Sequence, residues 1–204
     1  MINKTLVQVI AGVVVLIFAV GILLSGGHAD LAWLRFYSIA VTGAVVVLAL
    51  WDRWLWRLKV VQSGKSIPRD LRGTWKGTLT SFWLDPNTGQ GPAPKPAYIV
   101  IRQTWSSVSV TMLTDESRSH SSLGKVSSGD GVSSLDYMYL NRPDNRVEHR
   151  SRMHHGSTSL DITGNPVTRL RGRYWTDRDS RGELDFTQRV AALAEDYDSA
   201  TNLF

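Results

Sequence analysis

The sequence predicts a membrane-anchored all-β protein: a two-helix transmembrane hairpin followed by a small eight-stranded antiparallel up-and-down β-barrel. Three observations carry this. Two apolar segments, Thr5–Leu24 and Phe36–Trp51, lie close together near the amino terminus. Beyond Pro68 the apolar period changes from helical to alternating. Turn residues then cut the alternating region into eight short segments, the pattern of a barrel or sandwich.

The first apolar segment, TLVQVIAGVVVLIFAVGILL, carries no charge. At 1.5 Å rise per residue, about 20 residues span a hydrocarbon core of about 30 Å. The second, FYSIAVTGAVVVLALW, is slightly short. Arg35 at one end, and Arg53 and Arg57 at the other, extend it by snorkelling. Trp33, Trp51, Trp54 and Trp56 bracket it as interface anchors. The break between them is Ser25-Gly26-Gly27. A secretory signal peptide is the competing reading, with Lys4 as its basic end and Gly27-His28-Ala29 as its cleavage site. The apolar run exceeds the usual 7–15 residues of such a peptide, and a second follows too closely for an ordinary mature start. A hairpin explains both segments. Arg53, Arg57, Lys59, Lys65, Arg69 and Arg72 follow it, against Asp52 and Asp70, whereas the loop between the helices holds Arg35, His28 and Asp30. The positive-inside rule therefore puts both termini and the C-terminal domain in the cytoplasm. Ala40-x-x-x-Ala44 and Gly21-x-x-x-Ser25 are spacings that let helices approach closely. No ionisable residue lies deep in either helix, which disfavours a transporter or proton relay.

Residues 1–59 are thus expected as the transmembrane region, 60–70 as a linker, 71–189 as the barrel and 190–204 as an acidic tail. Ser63-Gly64 and Pro68 end the helical part. The expected strands are Leu71–Trp83, Pro96–Thr104, Ser107–Thr114, Arg118–Ser127, Val132–Leu140, Glu148–Ile162 with a break near Gly156, Thr168–Thr176 and Gly182–Gln188. Turn residues separate them, among them Asp85-Pro86-Asn87-Thr88-Gly89, Gly129-Asp130-Gly131 and Gly164-Asn165-Pro166. In the tail, Val190, Leu193 and Tyr197 fall on one face of a short helix that caps the barrel or frays.

The period of two assigns inward faces. Leu71, Gly73, Trp75, Gly77 and Leu79 share one, and Ile99, Ile101 and Gln103 another. Further faces hold Leu135, Tyr137 and Tyr139; Leu170, Gly172, Tyr174 and Thr176; and Leu184 with Phe186. Gln103, Tyr137, Tyr139, Tyr174 and Thr176 are polar exceptions on apolar faces. An eight-stranded barrel just holds one small ligand, and aromatic rings with hydrogen-bonding tips suit a nucleobase. Ser119 and Ser121, on the face of Leu123, offer hydroxyls for phosphate. Arg178, in the turn after Tyr174-Trp175-Thr176, is the preferred phosphate partner, while Arg171 and Arg173 point outward. Trp75 is packing or part of the ligand floor. Buried tyrosines also serve packing alone.

The chain has 204 residues, a net charge of +5, no cysteine and eight tryptophans. Without cysteine there is no disulfide or thiolate chemistry. The basic barrel favours anionic partners: a nucleotide, a nucleic acid or an anionic membrane surface. No Walker or Rossmann glycine loop and no Gly-x-Ser-x-Gly elbow is present. His154 and His155 are adjacent, so on a strand they face opposite ways, a poor chelating geometry. Neither an enzyme, a metal site nor a cofactor is expected.

The two apolar segments, then Arg72-Gly73-Thr74-Trp75-Lys76-Gly77, Ile101-Arg102-Gln103 and Leu170-x-Gly172-x-Tyr174-Trp175-Thr176-x-Arg178-x-x-x-Gly182, together carry a resemblance. In that order they resemble the two-transmembrane, β-strand-rich effectors of bacterial cyclic-oligonucleotide-based antiphage systems (CBASS), over nearly the whole chain. The resemblance implies a partner nucleotidyltransferase that makes a cyclic dinucleotide on infection. It also implies a cytoplasmic barrel that binds this ligand, homo-oligomerisation, and helices that then disrupt inner-membrane lipid and kill the cell. No DNA or RNA polymer is implied as a partner. The residues alone leave two alternatives: a membrane-tethered lipocalin-like carrier of a small hydrophobic ligand, since Gly-x-Trp on a first strand occurs there too, and a structural anchor docking a protein partner.

Overall fold

The structure is a computed structural model that describes residues 4–24, 33–64, 67–129, 132–149 and 151–204. It comprises two compact units, Met1–Val61 and Gln62–Phe204. The Ser25-Gly26-Gly27 break, His28, Ala29, Asp30, Lys65, the Asp130-Gly131 turn and Arg150 lie outside the described residues, as do the side chains of Lys4, Trp33 and Arg35.

In the first unit, helices α1 (Lys4–Leu24) and α2 (Trp33–Arg53) pack against each other. Ala40 is buried and Gly43, Ala44 and Val47 are half-buried, which is the spacing of one helical face. Ile17 Cδ1 of α1 stands 3.0 Å from where a side chain on Gly43 would begin. The small residues around Ala40-x-x-x-Ala44 therefore serve a close approach inside this unit. Among the described residues no helix is long and apolar enough to cross a membrane. Side chains are described there over residues 10–24 of α1 and 38–53 of α2. A 3-10 turn (Leu55–Arg57) and a single helical turn, α3 (Lys59–Gln62), follow.

The second unit is a closed barrel of eight strands: β1 (Gly73–Ser81), β2 (Lys95–Gln103), β3 (Val108–Leu113), β4 (Ser117–Gly129), β5 (Val132–Pro143), β6 (His154–Gly164), β7 (Val167–Thr176) and β8 (Arg181–Val190). Each pairs antiparallel with the next, and β8 closes on β1. The alternating pattern turns one face of every strand inward. Leu71, Trp75, Ile99, Ile101, Val110, Leu135, Leu160, Leu170, Leu184 and Phe186 are fully buried and pack together. Each such side chain contributes about 1.5–3 kcal/mol on leaving water.

Three expectations are corrected. The sixth strand begins at His154 and runs unbroken through Gly156, while residues 145–147 form a 3-10 turn. Gly156 is no breaker: a side chain there would collide with the Tyr139 ring and its hydroxyl, so glycine makes room for that ring. Leu123 does not share a face with Ser119 and Ser121. The β4–β5 register shifts between Ser121 and Leu123, and the extra residue turns Leu123 outward, 67% exposed. Thirdly, Val190, Leu193 and Tyr197 do not form one buried face, because Leu193 is exposed and the helix α4 spans only Tyr197–Thr201.

The tail docks instead on the outside of β2 and β3. A capping box between Asp196 and Ser199 starts α4. Tyr197, Ala194, Ala200 and Leu203 cover Tyr98, Val100 and Leu113, and the Tyr98 and Tyr197 rings meet edge to face at 5.5 Å. Thr74 Oγ1 donates to the Ala192 carbonyl at 2.7 Å and accepts from Ala194 N at 3.0 Å. Covering the outer face explains why Ala97–Ile101 are buried without alternation. Truncation after Ala192 is expected to lower the unfolding free energy by about 3 kcal/mol or more, from the apolar area uncovered. Thermal unfolding of the full-length chain in detergent, followed by circular dichroism, measures it; an unchanged midpoint removes the tail from the folded unit.

Candidate ligand-binding site

The register sorts the barrel interior into rows, because side chains at paired positions of neighbouring strands share a face. The deepest rows relevant here are apolar: Leu135–Leu160–Gly172–Leu184, then Leu170–Phe186. Toward the end formed by the start of β6 and the finish of β7, the rows turn polar. Tyr137–Thr158–Tyr174–Gly182 comes first, then Ser121–Tyr139–Gly156–Thr176, then Ser119–Asn141–His154. The middle of the barrel interior is thus apolar, and this end, the chamber, is lined by polar side chains.

Glycines shape the chamber. A side chain on Gly182 would come within 2.6 Å of Tyr174 Cε1, as one on Gly156 would collide with Tyr139. Each ring therefore packs against a glycine of the adjacent strand. The Tyr137 and Tyr139 centroids are 6.0 Å apart with their planes tilted 50°. Burial pushes the Tyr137 phenol up to about 12, with the neighbouring Thr158 hydroxyl acting in the opposite direction. Tyr137 Oη and Thr158 Oγ1 are fully enclosed; neither meets a partner in standard hydrogen-bond geometry, though the Thr158 hydroxyl is near enough to act on the phenol as a hydrogen bond, so the two groups bond at most each other. Burial also raises Tyr139, helped by the Tyr137 and Tyr174 phenols. All three phenols are therefore neutral donors at physiological pH.

The structure brings seven of the nine expected site residues to this end: Ser119, Ser121, Tyr137, Tyr139, Tyr174, Thr176 and Arg178. They differ in freedom. The Ser121 hydroxyl accepts from Val110 N at 2.9 Å, where the β3–β4 ladder has ended. Thr176 organises the β7–β8 turn, its Oγ1 lying 2.8 Å from Ser180 Oγ and accepting from Arg178 N at 3.3 Å. Arg178 is exposed, and its charge acts on both Tyr139 and His154, which sets the guanidinium beside the chamber.

The other two, Trp75 and Gln103, lie at the opposite end, bound into the lead-in segment before β1. Trp75 is fully buried and its Nε1 donates to the Leu71 carbonyl at 2.9 Å. Gln103 accepts from Leu71 N at 2.9 Å and donates to the Arg69 carbonyl at 3.0 Å. Arg189 completes this end. It donates to the Asp70 carbonyl at 2.9 Å and the Arg72 carbonyl at 2.6 Å, with its guanidinium 5.3 Å from the Trp75 ring. Burial raises the Asp70 carboxyl, but hydrogen bonds and charge from Arg72, with the charge of Arg189, bring it below the usual carboxylate range. These groups hold the lead-in segment against the barrel.

Asn141, His154 and Thr158 are chamber residues that sequence reasoning missed. The signal was present: Leu135, Tyr137 and Tyr139 continue at period two to Asn141, and reading through Gly156 places His154 and Thr158 inward. Among the described residues no group of acidic, histidine or cysteine side chains is placed to hold a metal ion.

The sequence comparisons converge on the same part of the chain. A family model described as Cap15, cyclic dinucleotide receptor domain, matches residues 66–188, which includes every strand of the barrel up to the last turn of β8. A curated relative, CD-NTase-associated protein 15 of Staphylococcus schleiferi, is 24% identical over 179 residues, covering 88% of this chain and 93% of the relative. With a closed eight-stranded barrel matched over more than half of the chain, the resemblance to CBASS effectors holds, and the chain belongs to the Cap15 family of cyclic dinucleotide receptor domains.

Proposed function

We propose that the polar chamber binds a cyclic dinucleotide and that binding switches the chain into an oligomer whose helices disrupt the inner membrane, killing a phage-infected cell. The observation that carries the ligand reading is the pair of enclosed hydroxyls, Tyr137 Oη and Thr158 Oγ1, which have no partner in standard geometry and bond at most each other, in rows that also hold Tyr139 and Tyr174. A buried polar group without a partner costs about 1–3 kcal/mol, and a site that takes a polar ligand accounts for it. Tyr139 and Tyr174 supply π-faces for bases, at about 1–3 kcal/mol per stacked base. Arg178 beside the chamber supplies charge for phosphate. A carrier of hydrophobic ligands calls for an apolar lining, which Ser119, Asn141 and His154 disfavour.

In this proposal the barrel and both termini are cytoplasmic, as the basic residues after the second apolar segment imply. The uncharged run Thr5–Leu24 and its apolar neighbour support a two-helix inner-membrane anchor. A nucleotidyltransferase supplies the ligand, and the protein acts as receptor and effector without catalysis of its own. Ligand drives assembly only if it binds the assembled state better than the resting one.

The test is a thermal-shift panel of cyclic dinucleotides against the full-length chain in detergent. A cognate ligand at 100 times its dissociation constant stabilises by about 2.7 kcal/mol. Size analysis should show larger species with that ligand alone. No shift with any panel member, or the same oligomers with and without ligand, overturns the proposal.

A further inference from the structure

We propose that Asn141 and His154 read the base of the ligand, and that they select an exocyclic amino group, as on adenine, over a carbonyl. This rests on the ligand reading above and deepens it. Asn141 and His154 are register partners on β5 and β6 and face inward in the outermost polar row, 6% and 9% exposed. Among the described residues no hydrogen bond joins the Asn141 amide to the protein, and its polar atoms are not among those sealed from solvent. A nine-tenths buried amide with two donors and an acceptor is an incomplete arrangement that a planar polar edge completes.

His154 sharpens the choice. Its Nδ1 lies 3.0 Å from the Arg152 carbonyl. A carbonyl only accepts, so Nδ1 carries the proton. Burial lowers the ring's pKa, and the Arg178 charge lowers it further, against the raising effect of the Arg152 carbonyl. The ring is therefore neutral and Nε2 is an acceptor. The pair thus offers two acceptors, Asn141 Oδ1 and His154 Nε2, and one donor, Asn141 Nδ2. An amino group with a ring nitrogen beside it matches this: its two protons go to the two acceptors, and the ring nitrogen accepts from Nδ2. Asparagine recognises adenine through the same amide-to-amino geometry. A base with a carbonyl at that position turns a lone pair toward His154 Nε2, which is repulsive.

The experiment is equilibrium binding of the full-length chain in detergent to cyclic dinucleotides that differ only in base: adenine, hypoxanthine and uracil. Adenine-containing ligands should bind at least about tenfold tighter than their hypoxanthine counterparts. Asn141→Leu should keep the fold, since no protein hydrogen bond to that amide is lost, and should diminish that preference. His154→Phe should abolish it, since the repulsion toward a carbonyl lies at Nε2. The wild-type comparison alone is independent of how the variants fold. Equal affinity for adenine and hypoxanthine, or an undiminished preference in Asn141→Leu, overturns base reading by this pair. Tightest binding by a uracil-only ligand overturns it too, yet leaves the receptor reading intact. Binding of none overturns the receptor reading itself.

Discussion

Replacing Trp75 with alanine is expected to lower the unfolding free energy by about 3–5 kcal/mol, the usual cost of emptying a large aromatic site in a core. Trp75 is fully buried among Leu71, Ile99, Ile101 and Phe186. Its loss also frees the Leu71 carbonyl from Nε1 and takes the ring from under Arg189. Trp75→Phe keeps most of the volume and removes the indole hydrogen bond, so it should cost about 1–3 kcal/mol. The contrast separates packing from hydrogen bonding, and thermal unfolding of full-length variants in detergent measures both. Neither variant should alter the ligand's base preference, because Trp75 lies at the end of the barrel away from the chamber. A Trp75→Phe variant that folds normally but no longer binds ligand would place the site at the wrong end.

The second large effect has the opposite sign on stability. Tyr137→Phe combined with Thr158→Val removes two enclosed hydroxyls that bond at most each other while keeping their shapes. Deleting an unpaired buried polar atom and leaving an apolar surface relieves about 1 kcal/mol or more per site. The double variant should therefore unfold at higher temperature than the parent and bind the cyclic dinucleotide at least about tenfold more weakly. Positions that gain stability while losing function are those whose polar atoms are held ready for something absent in the resting state. If stability rises and affinity stays constant, the ligand does not reach these hydroxyls and sits only in the outer rows.

The sequence made the barrel legible because its strands are half-buried, and half-burial writes itself as alternation. Inward Tyr137, Tyr139 and Tyr174 followed from that period. What escaped were features set by partners distant along the chain. Gly156 reads as a break because glycine is a poor strand former, but its reason is the Tyr139 ring on the adjacent strand. Ending β5 at Leu140 hid Asn141, and breaking β6 hid His154 as an inward residue. The bulge after Ser121 involves no turn chemistry, so nothing in the local sequence announced that Leu123 would face out. Trp75 and Gln103 were on the correct inward faces, but alternation gives only the face. Which end of a strand meets which function is set by the register, and the register placed these two against the lead-in backbone. Tyr98 and Val100 broke the alternation for an equally remote reason, the tail laid over them.

The pairing of β8 with β1 has a consequence for how copies of this protein can associate. Closing the sheet pairs each strand with both neighbours, but β4 meets β3 only over Arg118–His120, so among the described residues its length beyond Ser121 has no ladder partner on that side. Strand addition, the route that makes many sheet proteins polymerise without limit and without release, is therefore restricted to that stretch of β4. Elsewhere on the barrel, the oligomer proposed above would be built by side chains or by the helices. Such contacts are finite and reversible, so a signal that falls again can undo them. Resting copies that touch by accident away from that stretch of β4 find no open edge on which to grow.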